Sequence, residues 1–246
     1  GMLMWNFMTG GQIMLSSPVV DNGMVYLGSE DFNVYCLNAT NGSLVWTYTT
    51  SDQIHLSSSA VADGVVYIGS NDHNVYALNA TDGALMWNYM TDDVVISSPA
   101  VVNGVVYVGS YDGRIYALNA SSGAVVWKYS TGGSVASSPA VADGVFYVGS
   151  GDDNVYALGG SDGSVRWSYT TGDDVASSPA VADGMVFVGS YDGKAYALNA
   201  SDGGFVWSYA IGEWVVSSPA VADGRVYVGS YNHQVYAFGA SSEPTY

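Results

Sequence analysis

Basic residues are nearly missing from this 246-residue chain: five Lys and Arg stand against 22 Asp and Glu, a formal charge of −17. Nucleic-acid binding draws on clustered lysines and arginines that neutralise phosphates, so that class of function is excluded. An anionic membrane surface is an unfavourable partner for the same reason, whereas acidic excess commonly serves solubility. Cysteine is reduced to Cys36 alone, so no disulfide framework exists. Long hydrophobic runs are absent as well. Although 48% of the residues are apolar, the runs are short and broken by Gly, Asn and Asp, far below the roughly 18 consecutive residues of a membrane helix. Met2–Met8 has neither the basic start nor the small-residue cleavage site of a secretory leader, and Gly1 ahead of Met2 reads as a remnant of tag removal. Apolar residues recur nowhere at the 3.6-residue spacing of an amphipathic helix.

What the chain has instead is a repeat. Six copies follow one another at a period of 40 to 41 residues, with Ser-Ser at 16, 57, 97, 137, 177 and 217. Gly-Ser recurs at 28, 69, 109, 149, 189 and 229, and tryptophan at 5, 46, 87, 127, 167 and 207. Pro follows Ser-Ser in five copies and Ser59 in the second. A fixed period of this length means a solenoid, a propeller or an array. Cys36 sits where other copies carry Ala, which reads as a small buried side chain.

Each copy reads as four short strands. In the third, these are Ser98–Val102, Val105–Gly109, Arg114–Asn119 and Ala124–Tyr129. Asn103-Gly104 is a two-residue hairpin turn, and turn signals come every 8 to 12 residues, as in all-β folds. One four-stranded sheet has two faces to bury, and sheets packed face to face around an axis bury both. A linear β-solenoid is the alternative, with shorter coils and capped ends. The termini favour the ring. Residues 3–7 (LMWNF) match fourth strands such as residues 85–89 (LMWNY), while the last copy runs into Ala240–Tyr246 without a tryptophan. The expectation is one domain, a six-bladed β-propeller of four-stranded antiparallel blades. The blades would span about 12–50, 53–91, 94–131, 134–171, 174–210, and 215–240 completed by the N-terminal strand 2–9. Trp5, Trp46, Trp87, Trp127, Trp167 and Trp207 then read as packing between blades.

The segment Ala77–Trp87, ALNATDGALMW, resembles the tryptophan-docking motif of the pyrroloquinoline quinone (PQQ) repeat, A-x-D-x-x-T-G-x-x-x-W. So do Ala117–Trp127, Ala157–Trp167 and Ala197–Trp207, with Asn or Gly for the motif's Asp and Asp or Ser for its Thr; Cys36–Trp46 fits more loosely. The resemblance implies a propeller whose tryptophans join blades without touching the quinone. The family holds quinone-dependent alcohol and glucose dehydrogenases and also non-catalytic members, among them a barrel-assembly lipoprotein of the bacterial outer membrane. The alcohol-dehydrogenase type carries a ring of two adjacent disulfide-linked cysteines above the quinone and a calcium site beneath it. One cysteine cannot form that ring, and no Glu-Asn-Asp calcium constellation stands out, so no cofactor is expected.

Differences among the copies concentrate in two places. One is the loop between second and third strands, 30–33, 71–74, 111–114, 151–154, 191–194 and 231–234. The other is the entry to the first strand, 12–15, 53–56, 93–96, 133–136, 173–176 and 213–216. In an up-and-down blade both connections lie on one face, and loops on a rigid scaffold are where binding resides. Candidate ligand-face residues are Phe32, His55, His73, Tyr111, Asp152, Asp153, Asp173, Asp174, Tyr191, Trp214, Tyr231 and His233. An acidic, aromatic-rimmed face suits a cation, a cationic peptide or a sugar. Against that stands the plainer reading that Asp31, Asp72, Asp112, Asp152 and Asp192 only form turns. The doublets Asp92-Asp93, Asp152-Asp153 and Asp173-Asp174 offer hard oxygen ligands for calcium, but their spacing matches no compact loop motif. No metal site is therefore assigned. Catalysis has no visible machinery: no G-x-S-x-G elbow and no phosphate-binding loop opening a helix. Sequons at Asn38, Asn41, Asn79, Asn119 and Asn199 coincide with the repeat's own turn.

The leading expectation is a non-enzymatic, monomeric interaction or scaffold module working outside the cytoplasm, in the periplasm or at the cell surface, with a protein, peptide or carbohydrate partner and no membrane insertion. A PQQ-dependent dehydrogenase-like protein is one rival. A recently amplified or designed repeat without a ligand is the other.

Overall fold

The computed structural model describes residues 1–14 and 16–239. The final turn expected at Ala240–Tyr246, and Leu15 in the first strand entry, lie outside the described residues. The chain divides into two compact units, residues 1–136 and 137–246.

In the first unit, β1 (Val19–Asp21), β2 (Met24–Gly28), β3 (Asn33–Asn38) and β4 (Leu44–Thr49) form one sheet. The second sheet has β5 (Ala60–Ala62), β6 (Val65–Gly69), β7 (Asn74–Asn79) and β8 (Leu85–Met90). The third has β9 (Ala100–Val102), β10 (Val105–Gly109), β11 (Arg114–Asn119) and β12 (Val125–Ser130). In the second unit, β13 (Ala140–Ala142), β14 (Val145–Gly149), β15 (Asn154–Gly159) and β16 (Val165–Thr170) form a fourth sheet. The fifth has β17 (Ala180–Ala182), β18 (Met185–Gly189), β19 (Lys194–Asn199) and β20 (Phe205–Ala210), and the sixth β21 (Ala220–Ala222), β22 (Arg225–Ser230) and β23 (Gln234–Gly239). Every sheet is an antiparallel meander in sequence order. Among the described residues no helix is long and apolar enough to cross a membrane.

The first strands are shorter than expected, beginning at Ala100 and not at Ser98. Pro99 has no N–H to give the ladder, and the serines before it bond to the next sheet. Ser58 N donates to Ser98 Oγ at 2.9 Å and Ser57 Oγ to the Ser97 carbonyl at 3.2 Å. The second unit repeats this, Ser138 N to Ser178 Oγ at 2.9 Å and Ser137 Oγ to the Ser177 carbonyl at 3.0 Å. The Ser-Ser pairs are thus stitches between neighbouring sheets, which accounts for their recurrence without any catalytic role.

The middle strands are covered on both faces, so β6 is buried throughout and its sequence is an unbroken apolar run. The outer strands alternate, with the tryptophan inward. Between the first two sheets lie Tyr26, Val34, Cys36, Trp46, Ile54, Val66, Ile68 and Leu78. The Gly69 position admits no side chain there: a Cβ would stand 2.5 Å from the Val95 carbonyl oxygen. Burial pushes the Cys36 thiol up to about 11, which leaves it unreactive.

The tryptophans dock as expected. Trp46 Nε1 donates to the Ala80 carbonyl at 3.0 Å, Trp87 to Ala120 at 2.8 Å and Trp167 to Ala200 at 2.9 Å. Each indole lies against a turn glycine of the next sheet; at Gly83, whose φ is 73°, a Cβ would stand 2.7 Å from the Trp46 ring. Trp5 makes the same bond, to the Ala39 carbonyl at 2.9 Å, and covers Gly42. Residues 2–9, expected as the fourth strand of the last sheet, carry no strand, and the sixth sheet holds three strands among the described residues. The contact they do make is Trp5 with Phe7 on the first sheet's Val25, Leu27, Tyr35 and Leu37.

Candidate functional site

The loops that vary between copies are built on one rigid plan. In the second sheet, Asp72 Oδ1 accepts the Asn74 N–H at 3.0 Å, and Asp72 Oδ2 accepts the Tyr76 hydroxyl at 2.6 Å and the Ser51 N–H at 2.8 Å. Asp31 holds Asn33, Tyr35 and Gly10 in the same way, and Asp112 and Asp192 do likewise with Tyr116 and Tyr196. Asp152 accepts from Asn154 N and from the Tyr156 hydroxyl. These carboxylates are structural, and of the two readings of the five aspartates the turn-forming one describes them. Burial pushes the Asp31 carboxyl up, but its bonds from Tyr35, Asn33 and Gly10 outweigh this and hold it below the usual carboxylate range.

The next residue carries the variation. Phe32, His73, Asp153 and His233 have φ of 73°, 71°, 69° and 67°, where two other copies place Gly113 and Gly193 at 77° and 78°. A side chain in this left-handed conformation costs about 1 kcal/mol relative to glycine. Its carbonyl then accepts a threonine, as His73 does from both the N–H and the hydroxyl of Thr91 at 2.8 Å. Four copies thus carry a strained side chain at a position where glycine serves the backbone better.

The three histidines do not form a ligand set among the described residues. His55 Nδ1 lies 2.5 Å from Glu30 Oε1, a partner the sequence reading did not single out because the two are 25 residues apart. His73 and His233 stand alone at their loop tips. Both cations of these loops are already engaged: Arg114 by Asp92 and Asp112, and Lys194 by Asp192 at 3.3 Å and over the Tyr196 ring.

Within the second unit the structure does bring candidates together. Tyr191 and Trp214 have ring centroids 5.0 Å apart, and Trp214 and Tyr231 5.7 Å apart at 63°. Trp214 is 49% exposed and Tyr231 59%, a contiguous aromatic ledge open to solvent. The backbone seats it, with Tyr231 N–H on the Trp214 carbonyl at 3.0 Å and Tyr191 N–H on the Asp174 carbonyl at 2.9 Å. Next to it, Asp153, Asp173 and Asp174 each place a carboxylate oxygen within 4.8 Å of the others. Burial, then the charges of Asp173 and Asp153, push the Asp174 carboxyl above its ordinary value. In the first unit Phe32 and Tyr111 are 40% and 43% exposed, without such a cluster around them.

The largest concavity among the described residues, about 840 Å³, lies elsewhere, beside Trp207, Phe187 and Phe238. It reaches Gly239, where the described chain ends, and it is a gap between sheet faces with no convergent polar groups.

A family model described as outer membrane protein assembly factor BamB matches the chain three times, over residues 1–93, 90–178 and 172–242. A search of curated proteins gives no match. Among solved structures, BamB from Moraxella catarrhalis aligns with a TM-score of 0.81 at 20% identity, covering 95% of this chain and 74% of that one. The computationally designed protein Ika8 aligns at 0.82 and 16% identity, over 91% and 70%. Quinohemoprotein alcohol dehydrogenase from Comamonas testosteroni aligns at 0.77 and 16% identity, over 92% of this chain and 52% of its own. At such identities these likenesses establish the fold alone, a PQQ-like β-propeller.

Proposed function

The chain belongs to the family of outer membrane protein assembly factor BamB, and from that premise we propose that it is a non-enzymatic propeller scaffold working outside the cytoplasm, which takes a protein partner on its loop face. The observation that carries this is the Tyr191–Trp214–Tyr231 ledge. Exposed aromatic side chains in contact with one another are where interface energy concentrates, and nothing in the fold needs them. Trp214 is outside the docking register of the other six tryptophans. The turns of the opposite face are by contrast nearly uniform. There, Asn38, Asn79, Asn119 and Asn199 each accept the N–H two residues on, so their side chains serve the backbone.

The dehydrogenase reading has less support. The aligned quinohemoprotein shares 16% identity, and the adjacent-cysteine pair of that enzyme type has no counterpart in a chain with one cysteine.

The test is a pull-down of cell-envelope proteins by the immobilised chain, run beside a Trp214→Ala/Tyr231→Ala variant and an Asp82→Lys variant on the opposite turns. A partner kept by the wild type and by Asp82→Lys, and lost by the aromatic double variant, supports the proposal. Equal retention by all three would overturn it, as would dye-linked alcohol oxidation on addition of pyrroloquinoline quinone and calcium.

A further inference from the structure

The ledge carries chemical information about its partner. Resting on the scaffold reading above, we propose that the Tyr191–Trp214–Tyr231 surface is a docking site for an extended basic segment of a partner protein, with arginine side chains lying on the aromatic faces. Charge complementarity is the argument. The chain as a whole carries −17, and the residues that border the ledge are acids: Glu213 precedes Trp214, and Asp174 is bonded through its carbonyl to Tyr191.

The flanking carboxylates are not spent within the fold as those of the turn aspartates are. Asp173 Oδ1 accepts the Asp174 N–H at 2.9 Å, but the cluster of Asp153, Asp173 and Asp174 is three like charges without a basic side chain among them. The nearest lysine in these loops, Lys194, is held by Asp192 and Tyr196. The raised Asp174 carboxyl is consistent with like charges awaiting a cation.

Arginine answers both halves of this surface. Its guanidinium is planar, stacks on an indole or phenol face and still presents N–H donors in its plane to carboxylates. A neutral sugar would use the rings and leave the carboxylates repelling one another. A bare divalent ion would use the carboxylates and leave the rings exposed.

The probe is a fluorescein-labelled peptide of alternating glycine and arginine, followed by anisotropy on the intact chain. Its counterpart has citrulline for arginine, which keeps the planar shape and removes the charge. The arginine peptide is expected to bind and the citrulline peptide to bind about ten-fold more weakly or not at all. Trp214→Ala/Tyr231→Ala should weaken the arginine peptide by about ten-fold. Asp173→Asn/Asp174→Asn should weaken it and flatten its salt dependence. Thermal melts of each variant show that it is folded, and Tyr231→Ser serves as a milder second variant at the most exposed ring.

Equal binding of the two peptides, or arginine binding indifferent to both aromatic variants, would overturn the proposal by reducing it to diffuse attraction. Heat on titrating calcium chloride alone, with no arginine-peptide binding, would also overturn it and give the carboxylates to a metal. A partner captured through Trp214 that ignores the arginine peptide would sink this inference and leave the scaffold reading standing.

Discussion

The hydroxyl of Tyr76 donates to Asp72 Oδ2 at 2.6 Å across a four-residue loop, and the same pair recurs as Tyr35 with Asp31 and Tyr156 with Asp152. It locks the loop that leads into each third strand, because the other carboxylate oxygen holds the backbone two residues on. Tyr76→Phe is expected to cost about 1–2 kcal/mol, the range for a bond to a charged acceptor. Asp72→Ala should cost more, since it frees the buried Tyr76 hydroxyl together with two N–H groups. Urea unfolding of the two variants checks the order, and a tyrosine variant as stable as the wild type would show the bond to be incidental.

Ser59 stands where the other five copies have proline, and its hydroxyl is buried without a partner. Ser59→Pro should therefore stabilise the protein by about 1 kcal/mol. It removes an unsatisfied polar group and narrows the unfolded ensemble at a site whose equivalents already accommodate the ring. A rise in Tm of a few degrees is the expected readout, and a fall would mean that the second copy has a different backbone here.

The seven tryptophans divide into two kinds that stability separates. Trp46 is 7% exposed, bonded to Ala80 and pressed on Gly83, so Trp46→Ala should cost about 3–5 kcal/mol. Trp214 is half exposed and contacts only its two tyrosines among the aromatic rings; Trp214→Ala should lie within about 0.5 kcal/mol of the wild type. A large loss at Trp214 in chemical denaturation would make the ledge part of the core and not a surface held for a partner.

The repeat made the fold legible because every blade restates the same constraints. Gly-Ser, the turn glycine and the tryptophan are each fixed by one contact with the neighbouring sheet, and six copies expose a pattern that one would hide. The first strands were over-read, since Ser98 and Pro99 have strand-like neighbours in sequence but bond outward. Trp214, Tyr191 and Tyr231 were each visible as departures from the repeat. Their meeting was not, because residues 17 and 23 apart become neighbours only through the stacking of successive sheets. Glu30 escaped for a related reason: it looks like one more acid until His55 of the next copy is placed 2.5 Å away.

The Asp174 carboxyl is raised by burial and by the charges of Asp173 and Asp153, and the sign of its effect on stability follows from linkage. A folded state that holds a proton more tightly than the unfolded chain gains stability below the unfolded value and loses it as pH rises through the raised folded value. At neutral pH the ionised cluster is therefore a liability, and Asp174→Asn should raise Tm there. The gain should shrink as pH falls through the carboxylate range, where the wild type relieves itself by protonation. Melts of both proteins between pH 7 and pH 4 decide the matter: curves that run parallel would mean that Asp174 does not sense its neighbours. Added salt should narrow the neutral-pH difference as well, because the repulsion acts partly through solvent.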